Sequence, residues 1–212
     1  MKKEIPLFPL NLVVYPFEKL NLHIFEPRYK QLVRECLDHN RTFGIPAFIN
    51  NKIEMYGTEM KINKVERVYE DDRMDIRTEG VDLFHIADFQ NPLRDKLYAG
   101  GMVETFNWDD DAVDQMITQQ LMSRVKELYK LLNLHLAEDT FEQTYLSYTM
   151  GHKIGLSLEQ ELALLKIKTE EARQQYLINH LDKAIPVVAD MERTKERIRM
   201  NGHFKNLDPL NF

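Results

Sequence analysis

Prolines divide the first thirty residues of this chain into short apolar runs, and this punctuation constrains the fold more than any other feature. The runs are Ile5-Pro6-Leu7-Phe8-Pro9-Leu10, Val13-Val14-Tyr15-Pro16 and Leu22-His23-Ile24-Phe25-Glu26-Pro27. Proline fixes φ and has no N–H to donate, so each one marks a strand edge, a turn or the first turn of a helix. Beyond Pro27, a helical spacing of three and four relates the apolar residues Tyr29, Leu32, Val33 and Cys36. The first forty residues are therefore predicted to form a strand, a turn, a second strand and an amphipathic helix.

A β-rich stretch follows, up to about residue 105. Short apolar runs alternate there with turn signals such as Asn50-Asn51 and the polar tip Asp71-Asp72-Arg73. The run from Tyr56 to Val68 has apolar spacings of two to three, which indicates a long strand with a bulge. Glu79-Gly80 is predicted to turn the chain into a further strand, Val81 to Phe89. About six short strands with one early helix predict a curved sheet or a partly closed barrel.

The second half of the chain has a helical period. Asp109-Asp110-Asp111 supplies an N-cap and negative charge to the first turn of a long amphipathic helix. Asp139 or Thr140 is predicted to start the next helix. Ser157 and Gln160 have the spacing of a capping box, so they predict the start of a third.

The last predicted helix follows Thr169. Pro186 is expected to break or kink it, because proline removes a backbone donor and crowds the preceding turn. The segment from Asp190 to Met200 is charged almost throughout, so we expect a solvated helix extension there. Asn201-Gly202 is predicted to cap its C-terminal end.

These patterns together predict an α+β chain: an N-terminal β-rich pseudo-barrel with one early helix, followed by a C-terminal α-helical bundle. The β-rich subdomain is expected at residues 1–107 and the helical bundle at 108–202. Residues 203–212 are expected to form a flexible tail.

Composition limits the classes of function. The 212 residues are 43% hydrophobic and 29% charged, which is typical of a soluble globular chain with a core large enough to fold alone. The net charge of −6 argues against a general nucleic-acid or anionic-membrane binder. No apolar run approaches the roughly 20 residues of a membrane span, and prolines interrupt any signal-peptide core. With a single cysteine, these features predict a cytoplasmic protein without a nucleic-acid or membrane partner.

No catalytic, metal or cofactor site is predicted from the motifs. A phosphate-binding Gly-x4-Gly-Lys-Ser/Thr run is missing from the sequence, and the scattered histidines show no i, i+4 zinc pair. Cys36, with His39 three residues on, is a conceivable nucleophile, but it falls on the apolar helix face, where a buried thiol is inert. The acidic runs Asp71-Asp72 and Asp109-Asp110-Asp111 are explained by a turn tip and a helix start before a cation site is needed.

The N-terminal motifs resemble a known family. Pro6-Leu7-Phe8-Pro9-Leu10, then Tyr15-Pro16, then Leu22-His23-Ile24-Phe25-Glu26-Pro27-Arg28-Tyr29 closely resemble the opening of the LON N-terminal domain. This is the substrate-binding domain of ATP-dependent Lon proteases, and it is also found as free-standing proteins and inside cereblon. The resemblance covers roughly residues 4 to 200. It implies a PUA-like pseudo-barrel and a non-catalytic module that binds proteins or peptides in proteolysis or protein quality control, without the ATPase and Ser-Lys peptidase domains of Lon.

The expected partner is an unfolded or partner polypeptide. It would be held in apolar grooves or added as a strand to an exposed sheet edge. Aromatic side chains that stay exposed in the N-terminal stretch would form an apolar interaction patch. Arg28 is also predicted to tie the helix start to the barrel by pairing with a carboxylate. The candidate partner-binding residues are Phe8, Tyr15, Phe17, Phe25, Glu26, Arg28 and Tyr29.

Two other functions stay open at this point. One is a stand-alone hydrolase with an unrecognised nucleophile, which would need a nucleophile–base pair that the sequence does not display. The other is a small-ligand binder. Long amphipathic helices such as 109–135 also permit packing against a second copy of the chain, so a homo-oligomer is an open expectation.

Overall fold

Strands make up the first half of the chain and helices the second. The computed structural model describes residues 2–106, 113–137 and 145–203. The first half contains, in order, β1 (Lys2–Leu7), β2 (Lys19–Ile24), α1 (Pro27–Asp38), β3 (Phe43–Ile49), β4 (Lys52–Val68), β5 (Met74–Gln90) and β6 (Ala99–Thr105). The second contains α2 (Gln115–Leu131), α3 (Leu146–Gly151), α4 (Leu158–Leu165) and α5 (Glu170–His203). This order confirms the predicted α+β class.

The strands close into a ring because β5 is long enough to pair with three others. The sheet order is β2-β5-β4-β3-β1-β6, with an additional pairing of β5 with β6. The first part of β5, Met74 to Glu79, pairs with β2, whereas its last part, Phe84 to Gln90, pairs with β6. Only β1 and β3 are parallel among these pairs. Five strands thus form the predicted pseudo-barrel, and β2 is left as an edge strand beside it.

The short connections follow the predicted turn chemistry. Asn50 and Asn51 join β3 to β4 with φ values of 52° and 61°, and Asp72 turns the β4–β5 hairpin with a φ of 64°. Asn and Asp adopt this left-handed region more readily than other non-glycine residues. The pairing of β4 with β5 shifts register between Glu59 and Met60, which confirms a bulge in the long strand.

Gly80 does not turn the chain, contrary to the sequence-based prediction. It lies inside β5, which continues without a break from Met74 to Gln90. A Cβ atom at this position would lie 2.4 Å from the carbonyl oxygen of Tyr15. The Gly80 N–H also donates to the carbonyl of Glu18 at 2.8 Å. Glycine is therefore required here because a second backbone segment passes very close to the strand.

Two apolar clusters form the core of the β-rich half. In the first, the buried face of α1 packs on the strands, and Phe8 stacks on Tyr29 with 3.7 Å between ring centroids. The second lies between β1, β5 and β6 and consists of Ile5, Leu7, Phe84, Ile86, Ala99 and Val103. The N-terminal stretch thus contributes to both clusters: Phe8 and Val14 belong to the first, and Ile5 and Leu7 to the second.

An ion pair with a buried carboxylate ties β1 to β4. Glu59 is only 4% exposed, and the ammonium group of Lys3 lies 2.6 and 2.7 Å from its two carboxylate oxygens. The hydroxyl of Thr42 donates to the same carboxylate. Because a buried carboxylate is costly without partners, these donors make the approach of β1 to β4 specific.

The chain divides into two compact units. One comprises the described residues up to 106 together with 156–168, and the other comprises 113–137, 145–155 and 169–203. Segment 156–168 carries α4, which the sequence grouped with the helices. In the structure its contacts are with the first unit: the hydroxyl of Tyr15 donates to the Glu161 carbonyl at 3.4 Å.

Two of the predicted helix starts agree with the structure, and one does not. Ser157 and Gln160 form the predicted capping box, with reciprocal hydrogen bonds of 3.3 and 2.9 Å. The Thr169 hydroxyl accepts from the Ala172 N–H at 3.3 Å, as expected for an N-cap.

The long helix α2 begins only at Gln115, and the Asp114 carboxylate accepts from the Met116 N–H at 2.8 Å. Its N-cap is therefore Asp114, and the cap predicted at Asp109-Asp110-Asp111 is wrong, because Val113 and Asp114 are not helical. The start predicted at 139–140 and the tail beyond 203 lie outside the described residues. The subdomain boundaries stay predictions.

The second unit is dominated by α5, and Pro186 does not break this helix. The helix runs from Glu170 to His203, so Asn201-Gly202 is not its C-cap either. Pro186 is exposed, and the carbonyl of Asp182 that it deprives of a donor can therefore be solvated. In the described part of the chain, none of the helices has both the length and the apolar character that crossing a membrane requires.

Replacing Gly80 with alanine is expected to lower the free energy of unfolding by about 1–3 kcal/mol, because the new methyl group overlaps the Tyr15 carbonyl. Urea unfolding followed by circular dichroism measures this change. The control is Ala87→Ser at an exposed position of the same strand, which should stay within about 0.5 kcal/mol of the wild type. Equal stability of all three proteins would contradict the close approach.

Candidate functional site

The structure separates the seven predicted binding residues into a buried set and an exposed set. Phe8, Tyr15 and Tyr29 are 6% exposed or less and belong to the core. Phe17 and Phe25 are 47% and 59% exposed, so these two supply the apolar surface that the sequence anticipated. As binding residues, all seven stay a prediction.

Glu26 and Arg28 pair with each other at the start of α1. The guanidinium of Arg28 contacts the Glu26 carboxylate at 2.8 and 2.9 Å and lies over the ring of Tyr29, 4.5 Å from its centroid. The carboxylate partner of Arg28 is thus local to the helix start. The pKa of Tyr29 is raised, chiefly by burial, although the nearby guanidinium opposes the shift.

A groove of about 520 Å³ lies beside this helix start, between α1 and the loop that joins β5 to β6. Its volume falls within the roughly 300–1,000 Å³ of typical ligand pockets. Leu97 projects from the loop and is 60% exposed, which makes it the largest apolar side chain that the groove offers to solvent. The lining residues are Pro27, Lys30, Gln31, Arg34, Glu35, Asp95, Lys96 and Leu97.

Two polar side chains of α1 hold the loop in place. The Gln31 side-chain oxygen accepts the N–H of Leu97 at 3.0 Å. The Glu35 carboxylate accepts hydrogen bonds from Lys96 at 2.8 Å and from the hydroxyl of Tyr98 at 2.6 Å. Because Gln31 also donates to Glu35 at 3.0 Å, one helical turn fixes the loop at several points. The wall that carries Leu97 is therefore preformed.

These contacts determine the ionisation of the groove. Desolvation raises the pKa of Glu35, but hydrogen bonds from Lys96, Tyr98 and Gln31 outweigh it, so its pKa lies below the ordinary value. Burial and the hydrogen bond to Glu35 raise the pKa of Tyr98 far above its ordinary value. Glu35 is therefore an anion and Tyr98 a neutral donor at neutral pH.

The opposite side of the groove is fixed by the β4–β5 hairpin. Lys30 donates to the carbonyl of Asp71 at 2.7 Å, and Arg34 pairs with Asp72 at 2.9 Å. The groove therefore combines cationic heads, aliphatic stems and an exposed leucine. Sequence reasoning missed these residues because they lie on the polar face of α1 and in a loop. The one feature of the sequence that could have indicated the groove is the polar pair Gln31 and Glu35, which the i, i+4 spacing places on one face of α1.

A second surface cluster surrounds Phe25. Its ring stacks on His23 with 6.1 Å between centroids, and His23 Nδ1 lies 2.6 Å from a carboxylate oxygen of Asp75. The hydroxyl of Tyr69 donates to the other oxygen at 2.7 Å. Hydrogen bonds from His23 and then from Tyr69 lower the pKa of Asp75. This network joins β2 to β5 and stiffens the surface next to Phe25.

Two side chains that could act as nucleophiles, Cys36 and Ser147, are buried. Cys36 is 2% exposed in the core, and burial raises the pKa of its thiol to about 12, which confirms a packing role. Ser147 is fully buried, and its hydroxyl donates to Glu170 at 2.6 Å while accepting from Arg173 at 3.0 Å. Gln174 donates to the same carboxylate at 3.0 Å. This hydroxyl–carboxylate pair is part of a buried charge network in the second unit.

Metal ligands are not clustered in the described part of the chain. No group of three or more His, Cys, Asp or Glu side chains is arranged there to hold an ion. The aspartates at the β4–β5 tip are engaged by Arg73 and Arg34, at 2.6 and 2.9 Å. Asp71 therefore pairs within the hairpin, and Asp72 pairs with a residue that lines the groove.

Comparison with known proteins assigns the family. A family model described as the ATP-dependent protease La (LON) substrate-binding domain matches residues 4–183. The chain therefore belongs to the LON substrate-binding domain family. None of the curated proteins compared with it gave a match.

Solved structures show the same fold. A Lon N-terminal domain protein from Xanthomonas campestris superposes with a TM-score of 0.67 at 24% identity, covering 84% of this chain and 98% of that one. The N-terminal domain of a Mycobacterium avium complex Lon protease superposes with a TM-score of 0.59 at 14% identity, covering 85% and 98%. At these identities, the likeness concerns the fold alone.

The Cys36 thiol is expected to react with Ellman's reagent at pH 8 on the order of 100-fold more slowly in the native chain than in urea, since both access and thiolate fraction are low. The absorbance of the released thiolate measures both rates. Comparable rates in the two states would contradict the buried position of Cys36.

Glu35→Gln is expected to lower the free energy of unfolding at neutral pH, and the difference from the wild type should become smaller at acid pH. Because the folded-state pKa of Glu35 is lowered, its ionised form stabilises the fold above the unfolded pKa, and this contribution is lost as pH falls through the folded pKa. Urea unfolding of wild type and variant between pH 7 and 3 measures the difference. A difference that stays constant or grows towards acid would contradict the assignment.

Proposed function

We propose that this chain binds extended, non-native segments of other polypeptides in the groove beside α1 and does not hydrolyse them. The observation that carries the proposal is the preformed groove with Leu97 exposed on one wall, in a member of a substrate-binding domain family. The bound segments would enter proteolysis or protein quality control through a catalytic domain other than the units described above. A cytoplasmic location stays a prediction.

The groove has the features that an unfolded segment requires. Leu97 and Pro27 offer apolar contact, which native proteins bury and unfolded ones expose. Lys30, Arg34 and Lys96 place donors along the walls, where the backbone carbonyls of an extended segment can accept them. The walls need little rearrangement on binding, which lowers the entropic cost of association.

The exposed residue Phe25 lies close in sequence to the groove. Phe25 lies two residues before Pro27, which lines the groove, and its position is stiffened by the stack with His23. A segment longer than the groove would therefore meet a further apolar contact near the helix start.

The chemistry of the chain supports binding without hydrolysis. A hydrolytic serine or cysteine needs an accessible nucleophile next to a base. Cys36 is held as a protonated thiol in the core, and the hydroxyl of Ser147 is engaged by Glu170 and Arg173 inside the second unit.

Leu97→Asp is expected to weaken binding of a permanently unfolded protein, such as fluorescein-labelled reduced and carboxymethylated α-lactalbumin, by roughly tenfold, or about 1.4 kcal/mol. Fluorescence anisotropy gives the dissociation constant. The matched control is Leu37→Asp, an exposed leucine of the same unit outside the groove, for which the constant should stay within about twofold.

Three results would contradict the proposal: no binding by the wild type, an equal loss in both variants, or equal affinity for native α-lactalbumin. Casein incubated with the chain, with and without ATP, should stay intact on a gel. Cleavage that disappears in Cys36→Ala or Ser147→Ala would establish the hydrolase alternative instead.

A further inference from the structure

The C-terminal part of α5 carries an apolar stripe that faces solvent. Val187, Met191 and Ile198 are between 55% and 66% exposed, although the bundle-facing residues of the same helix, such as Leu181 and Ile185, are buried. Charged residues surround the stripe from Asp190 onward. Side chains of this size are seldom left in water in a row on one helix face.

The stripe has the spacing of a coiled-coil seam. Val187, Met191, Thr194 and Ile198 follow one another at four, three and four residues, which corresponds to positions d, a, d and a of a heptad. We call these four residues the α5 stripe. The Thr194 hydroxyl donates to the carbonyl of Asp190 at 2.9 Å, so its burial would leave no unpaired donor. From Pro186 to His203, the helix offers about 27 Å of length for contact.

We propose that the α5 stripe is a self-association surface, on which the same stripe of a second copy of this chain packs in parallel. The flanking charges support this partner. In a parallel pair, position g of one helix faces position e of the next heptad in the other. Asp190 occupies g and Lys195 occupies e, so each pair of helices brings two opposite-charge contacts together.

Position e distinguishes the parallel from the antiparallel arrangement. In an antiparallel pair, positions g face each other and positions e face each other, so Asp190 would meet Arg197 but Lys195 would lie opposite the apolar Val188. Only the parallel pair gives both Asp190 and Lys195 an opposite charge in the second copy. Within one chain, Asp190 contacts Arg193 at 3.3 Å and Lys195 contacts Glu192 at 2.5 Å. All four side chains are at the surface, so these pairs contribute little and can rearrange on association.

Sedimentation velocity of the full chain over a range of concentrations tests the proposal. The wild type should pass from monomer to dimer, and Met191→Asp or Ile198→Asp should raise the dimer dissociation constant at least roughly tenfold. The matched control is Met200→Asp, which changes an exposed methionine of the same helix outside the stripe and should leave the constant within about twofold. Circular dichroism verifies that each variant is folded.

A charge swap tests the register. Asp190→Lys should weaken the dimer by placing like charges together, and the double variant Asp190→Lys with Lys195→Asp should restore it. A wild type that stays monomeric, or a Met200→Asp effect as large as that of Met191→Asp, would overturn the self-association surface. Failure of the double variant to restore the dimer would overturn the parallel packing.

Discussion

The fold depends on β5 pairing with three other strands. Its first residues pair with β2 and its last residues with β6, while β4 pairs with it on the other edge from Met74 to His85. A strand can serve two neighbours on one edge only if the sheet bends between them. Register shifts along β4, and a further one near Ile86 and Asp88, provide that bend. Gly80 lies between the two pairing regions and lets the chain around Tyr15 approach the strand.

The groove is a consequence of this closure. Once β6 returns to pair with β5, the connecting loop is left beside the polar face of α1. Gln31 and Glu35 then hold it through Leu97, Lys96 and Tyr98. The same helix uses its opposite face for the core, where Tyr29 and its neighbours pack. One amphipathic helix therefore stabilises the barrel and forms one wall of the groove.

Each of the two units contains a buried carboxylate whose hydrogen bonds connect separate segments of the chain. Glu59 is satisfied by Lys3 and Thr42, and Glu170 is satisfied by Arg173, Ser147 and Gln174. Each carboxylate is costly to bury alone but fixes several segments when its donors are in place. Both carboxylates are buried, so these charges stabilise the fold and are not presented to a partner.

The sequence alone determined the order of elements, the α1 core face, the Asn and Asp turns, the Ser157 capping box and the family, because these rest on local spacing and on short motifs. It could not place residues that act through distant contacts. Gly80 was misread because a turn and a close backbone approach require the same residue type. α4 was grouped with the helices because its sequence does not reveal that it packs on the strands. The groove also depended on tertiary structure, since Glu35 contacts Lys96, which lies 61 residues further along the chain, only after ring closure places the loop beside α1.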